Sequence, residues 1–211
     1  IGNVITGTTE ASNIDYYKVH LTAGQRVIVD CWASRLDSRA NVSLVLFDAG
    51  GTQIAVSHDH NGYDPLLDIT AEAEADYLIG VYDFVYAGGG DHTYRLHVTD
   101  GPVVDYVVPS SGAAGSNGSY TIVGRNLPGG KPLEGVTLNG AQLQSLQTNV
   151  QIPADLGVSG LGVQKMVTSR IARAATTAAG VAVVMNVSDL PSVVESGDND
   201  VANANECKTT R

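Results

Sequence analysis

Positive charge is scarce in this 211-residue chain: 12 Lys and Arg stand against 22 Asp and Glu, a formal net charge of −10. With no Lys/Arg cluster to offset that sign, a phosphate backbone is repelled and nucleic acid is disfavoured as a partner. Cysteine is nearly absent. Cys31 and Cys207 lie far apart and outside any CxxC, which excludes a zinc knuckle and a thioredoxin-type redox pair and leaves a bridge between them permitted but unsupported. No apolar run reaches membrane-spanning length and no signal peptide is present, so no membrane insertion is expected. The usual catalytic signatures are missing as well: there is no GxSxG, no HExxH and no Walker loop, because Gly130-Lys131 runs into Pro132. No catalytic residue is assigned, and a non-enzymatic role is expected.

What the chain does contain is glycine, tyrosine and uncharged polar surface. It has 24 Gly, Tyr supplies nine of its twelve aromatics, and charged residues make up only 16% against 43% hydrophobic. That composition suits a turn-rich β protein working outside the cell or at its surface. The acidity is concentrated in residues 1–100, with 14 Asp/Glu against 5 Lys/Arg, whereas residues 101–190 hold 4 against 5.

Periodicity supports the same class. In YKVHL, Tyr17, Val19 and Leu21 share one face; in TYRLHV, Tyr94, Leu96 and Val98 do so. Turn-rich segments such as DAGGTQ, HDHNGYD and YAGGGDH separate about eight candidate strands over residues 1–99, enough for a jelly-roll-like β-sandwich. Asp48 with Gly50 and Gly51 reads as a hairpin turn, and Asp83 with Gly88, Gly89 and Gly90 as a mobile surface loop. Asp100-Gly101-Pro102 breaks the pattern and marks a domain boundary. A second, smaller sandwich is expected over 102–190, with Asn139-Gly140 as a hairpin turn. Within it, 161–187 fits a helical stripe by its Ala content and by Val163, Val167 and Ile171. Its threonines and the run VAVV favour strands, which a sandwich begun at residue 103 needs.

Three groups of side chains suggest chemistry. His58 and His60, with Asp59, Asn61 and Asp64, could face a metal from one side of an extended segment, although a solvated turn accounts for them more simply. Glu72, Glu74 and Asp76 alternate as a solvent face does. Trp32, Tyr63, Tyr82, Phe84 and Tyr86 could build a platform for sugar rings or a protein strand, against the ordinary alternative of half-buried cross-strand partners.

The stretches NIDYYKVHLTAGQRVIVDC, SLVLFDAGGTQIAVS, GYDPLLDITAEAEADYLIGVYDF and GGGDHTYRLHV together resemble the bacterial pre-peptidase C-terminal domain over residues 1–99. VVDYVVPSSGAAGSNGSYTIVGRNL is similar to the entry of an immunoglobulin-like domain of the transcription-factor/plexin type. The chain ends in ESGDNDVANA and the residues that follow it. This segment resembles the acidic entry of a pre-peptidase domain, with Gly197 and Asp198 where that family has Glu and Pro. Residues 191–211 would then be a linker and the entry of a further, or swapped, copy, implying a tandem repeat architecture. In relatives this entry segment helps to hold Ca²⁺; carried over, the resemblance offers Glu195, Asn199 and Asp200 together with Asp15 as calcium ligands.

These readings imply a fragment of a large secreted or cell-surface bacterial protein, since the chain opens on Ile1 without an initiator Met. Its partners would be other domains of the same polyprotein-like chain, together with protein or polysaccharide. The alternative is an accessory C-terminal module of an extracellular peptidase or redox protein. If the calcium assignment holds, adding Ca²⁺ raises the thermal midpoint and chelation reverses the rise; an unchanged midpoint removes its basis.

Overall fold

The computed structural model describes residues 1–138, 140–152, 154, 164–172 and 178–188. Among them the protein is all-β. Its strands are β1 (Asn3–Thr8), β2 (Asp15–Leu21), β3 (Arg26–Trp32), β4 (Val42–Phe47), β5 (Gln53–Ser57), β6 (Leu66–Thr70), β7 (Ala75–Asp83), β8 (Thr93–Thr99), β9 (Val103–Val108), β10 (Ser111–Ala113), β11 (Asn117–Arg125), β12 (Lys131–Leu138), β13 (Ala141–Gln151), β14 (Gln164–Ala172) and β15 (Ala178–Ser188). A single 3₁₀ turn, Ser34–Leu36, follows β3. By their contacts the residues fall into two compact units, Ile1–Val103 with Arg125–Gln144, and Val104–Gly124 with Ser145–Arg211.

The first unit is built on a nested ribbon. β1 pairs with β8, β2 with β7, β3 with β6 and β4 with β5, all antiparallel. Rolling that ribbon up brings β3 beside β8 and β4 beside β7. Two four-stranded sheets result, in the orders β1-β8-β3-β6 and β2-β7-β4-β5, which is the jelly roll expected from eight strands. All eight come from residues 3–99; residues 191–211, expected to be an entry segment, lie outside the described residues.

Alternation decides what fills the interior. Tyr17, Val19 and Leu21 of β2 point inward and Tyr16, Lys18 and His20 outward; Tyr94, Leu96 and Val98 of β8 are buried around an exposed Arg95. Leu21, Leu44, Leu46, Ile79 and Leu96 are fully buried between the sheets. Burying each such side chain contributes about 1.5–3 kcal/mol. Cys31 belongs to this core as a free thiol. Burial, reinforced by the nearby Asp30 and Asp64 carboxylates, pushes its ionisation well above the ordinary thiol range.

Side-chain chemistry fixes the turns. Asp48 Oδ1 accepts the N–H groups of Gly50 and Thr52, at 2.9 and 2.8 Å, and Gly51 supplies the left-handed residue at φ +80°. Asp64, fully buried, is the stronger device. Its Oδ1 accepts from the backbone of Ala33 and Ser34, and its Oδ2 accepts from the backbone and Nε of Arg35, all within 3.1 Å. Arg35 continues to Asp30 at 2.6 Å and lies over the Trp32 ring at 4.5 Å, while Trp32 Nε1 donates to Asp30. Two carboxylates, a guanidinium and an indole thus tie the 3₁₀ turn to the β5–β6 connection.

Residues 125–144 join the first unit through charge. Arg26 grips Asp68 with two bonds of 2.7 and 2.6 Å, and the fully buried Arg125 reaches the same carboxylate at 2.7 Å. Asn126 Nδ2 donates to the carbonyl of Asp100 at 3.1 Å. The first unit therefore extends beyond the Asp100-Gly101-Pro102 break.

In the second unit β14 and β15 form an antiparallel hairpin, with β10 added in parallel to β15, so the described part of 161–187 is strand rather than helix. Its core includes Tyr120, Ile122, Val150, Ile152, Val183 and Met185. β12 and β13 flank a two-residue connection whose Gly140 has φ +79°, while Asn139 lies outside the described residues.

Asp64→Ala is expected to cost about 3 kcal/mol, because it leaves Arg35 partly buried beside a vacated acceptor. Denaturant unfolding reads this as a lowered midpoint with an unchanged slope.

Candidate functional site

The segment after β7 reads DFVYAGGG, and three apolar side chains in a row are unusual in a turn. Asp83 is the anchor: it is 2% exposed, and its carboxylate accepts the N–H groups of Asn41, Val85 and Ala87 at 2.9–3.0 Å. Phe84 N donates to the Asn41 carbonyl at 2.7 Å and Tyr86 N to the Asp83 carbonyl at 2.8 Å. On its far side the turn is sewn to residues 9–12, where Ser12 N donates to the Tyr86 carbonyl and Gly89 N to that of Thr9. Gly88 packs so closely on the Glu10-Ala11 backbone that no Cβ would fit. This corrects the expectation of a mobile loop: Asp83 and Gly88 make the turn a packed and hydrogen-bonded element.

The N–H groups of residues 84–87 are bonded while the side chains are left outside. Phe84 is 52% exposed, Val85 72% and Tyr86 46%. Tyr86 adopts a left-handed φ of +56°, rare for a bulky residue. Its ring stacks on that of Tyr82 at 5.3 Å, and Phe84 meets the His58 ring at 5.5 Å. The outward face of β2-β7-β4-β5 continues this apolar surface through Tyr16, Ile54 and Val56, all about half exposed.

Of the expected platform, Tyr82, Phe84 and Tyr86 come together here. Tyr63 is exposed on the connection that begins at His58. Trp32 lies on the outward face of the other sheet, because its neighbours Cys31 and Val29 alternate into the core, and it is engaged by Arg35 and Asp30.

The metal expectations meet different surroundings. In HDHNGYD the turn closes on itself, with His60 N and Asn61 N donating to the Asp64 carbonyl, while the Asp64 carboxylate is used by residues 33–35 and His58 pairs with Asp59 at 3.1 Å. Among the described residues, no group of three or more His, Cys, Asp and Glu is placed to hold a metal ion. Asp15 accepts from Tyr94 Oη at 2.6 Å, and that hydroxyl also meets Tyr17 Oη at 2.5 Å. Burial and these two partners hold the Tyr94 hydroxyl neutral well beyond its ordinary range. Glu195, Asn199 and Asp200 lie outside the described residues. Asp76 behaves as the solvent face expected: it is exposed, sits opposite His20 and bonds it at 2.9 Å, with Lys18 at 3.4 Å, and these partners hold its carboxyl below the usual range.

Two features escaped the sequence reading. Asp83 carried a signal, an acid at a strand end ahead of an apolar turn. Arg125 carried little, being one cation in a strand. It borders a cleft of about 340 Å³ between β5 and β6, with Val56, Leu66, Asp68 and Leu138 among its walls.

No protein-family model matches the chain, and no curated protein is similar to it in sequence. Among solved structures it is similar to the pre-peptidase C-terminal domain of collagenase from Bacillus anthracis, at 18% identity over 47% of this chain and 90% of that one, with a TM-score of 0.39. It is also similar to PliG of Aeromonas hydrophila, a periplasmic lysozyme inhibitor of g-type lysozyme, at 19% identity over 46% and 85%, with a TM-score of 0.36.

Asp83→Ala is expected to destabilise the protein by roughly 3 kcal/mol, because three amides lose a charged acceptor. Tyr86→Gly stays within about 1 kcal/mol of the original, the relief of a left-handed backbone offsetting the lost ring contact. Parallel chemical-denaturation curves separate the two outcomes.

Proposed function

We propose that the chain is a non-catalytic binding and spacing fragment of a large secreted or cell-surface bacterial protein. In this reading a pre-peptidase C-terminal-like jelly roll precedes an immunoglobulin-like domain of the transcription-factor/plexin type. The family reading rests on the motifs of residues 1–99 and on the eight-strand order they adopt. The extracellular reading rests on low charge and abundant Gly, Tyr and uncharged polar surface.

One observation carries the binding role. A turn whose backbone is tied to Asp83, to Asn41 and to residues 9–12, and which includes a left-handed tyrosine, holds Phe84, Val85 and Tyr86 out in solvent. Such exposure forgoes the stabilisation of burial, and rigid exposed aromatics give contact area at low entropic cost to a partner. The buried ionisable groups already have structural work: Asp64, Asp30 and Arg35 hold a turn, Asp68 joins Arg26 to Arg125, and Asp83 carries the aromatic turn itself. The partner is protein or polysaccharide, and the sandwiches present it alongside the neighbouring domains of the same chain.

The test uses plates coated separately with extracellular proteins and with polysaccharides. The intact chain is expected to bind at least one coating, and the Phe84→Ala/Tyr86→Ala double variant to lose at least about tenfold in affinity with its melting midpoint retained. Equal binding by the double variant, or no binding to any coating, counts against the proposal.

A further inference from the structure

Beneath the exposed rings lie two oxygens that the fold leaves unmet. Val42, Leu44 and Leu46 point into the core, so Asn41 and Ser43 stand on the outward face of β4 and its approach. Ser43 is paired with Tyr82 across the sheet. On the other side Leu44 is paired with Ser57, so His58 follows at the level of Ser43. Tyr82 carries Tyr86 stacked on it, and His58 carries Phe84. The two polar residues therefore share a sheet face with four rings.

Ser43 is 1% exposed, and both its Oγ and Asn41 Oδ1 are buried without a hydrogen-bond partner. The Asn41 backbone is committed on both sides, its N–H to Asp83 and its carbonyl to Phe84, so the residue cannot shift to satisfy its side chain. Val45, the next outward residue of β4, shows that an apolar side chain is accommodated on this face. Buried polar atoms in folded proteins nearly always find partners, and two unmet oxygens side by side under half-exposed rings are a constellation that a ligand can complete.

The chemistry selects the ligand. Asn41 Oδ1 accepts, Ser43 Oγ can both accept and donate, and neither has a partner. Phe84 and Tyr86 offer exposed apolar faces on the same side of the sheet, and a ligand would reach the two oxygens only with the half-exposed Phe84 ring turned aside. A pyranose ring supplies the complement, with a C–H face for an aromatic ring and adjacent hydroxyls that donate. It must be uncharged, because Asp59 and Asp83 flank the site and residues 1–100 carry 14 acids against 5 bases, which repels uronic acids and phosphorylated sugars. We propose that Asn41 and Ser43, with Tyr82, Phe84, Tyr86 and His58 around them, form a subsite for one neutral sugar unit of a polysaccharide. This rests on the binding role assigned above to the same aromatic turn and narrows its partner to one class.

Affinity electrophoresis of the intact chain through gels containing hydroxyethyl cellulose, glycol chitin or laminarin tests it. At least one polysaccharide is expected to retard the original protein. Ser43→Ala and Asn41→Ala should each weaken that retardation about tenfold while leaving the melting midpoint unchanged or higher, since each removes an unmet buried oxygen. His20→Gln, at the far end of the same sheet, should migrate like the original. Retardation unaffected by Ser43→Ala and Asn41→Ala overturns the proposal, as does a lowered midpoint in both, which makes the oxygens structural. Absence of retardation in all three gels overturns it too. Protein-coated plates then separate the levels: binding there that is lost in the Phe84→Ala/Tyr86→Ala variant preserves the wider role without the sugar, and no binding there removes both.

Discussion

The Asp83 carboxylate is the contact on which the exposed aromatic turn depends. It sits at the end of β7, sealed from solvent, and gathers amides from the start of β4 and from the turn that follows. An ionised acceptor shared by three donors is stronger than three neutral bonds, and a low-dielectric site strengthens it further. Because its donors come from both 41 and 85–87, the same carboxylate sets the strand that bears Asn41 and Ser43 and the turn that bears Phe84 and Tyr86. Polar floor and aromatic wall are positioned by one group.

Asp64 does a parallel job at the 3₁₀ turn, and the Asp68 carboxylate another at residues 125 and 26. The acidic excess of the first hundred residues is thus partly internal wiring. Buried carboxylates hold the connections of a sandwich whose strands are held by apolar packing. Net charge alone suggested an electrostatic surface; position shows that Asp64 and Asp83 are buried and that the Asp68 side chain is largely covered.

Much of the fold was legible in residue order. Alternation in YKVHL and TYRLHV places their inward faces correctly, since a period of two leaves each side chain one sheet face to occupy. Glycine and Asp48 mark their hairpin for the same local reason. The site was legible in part. Tyr82 and Tyr86 could be grouped by proximity in sequence, but Trp32 could not be separated from them, because which sheet a strand joins depends on pairings dozens of residues apart. Asp83 and Gly88 were read as loop residues because their partners, Asn41 and Glu10-Ala11, lie far away along the chain. Arg125 escaped for the same reason: its acceptor is 57 positions earlier.

The nested pairing also has a mechanical meaning. Asn3 lies across from Val98, so the chain enters and leaves the first sandwich at neighbouring points on one edge. Tension carried along the backbone through Ile1 and Gly101 would load the β1–β8 ladder one rung at a time, peeling it like a zipper, where strands pulled from opposite ends would share the force. Loaded in that way, the first sandwich would yield at β1 before any other strand.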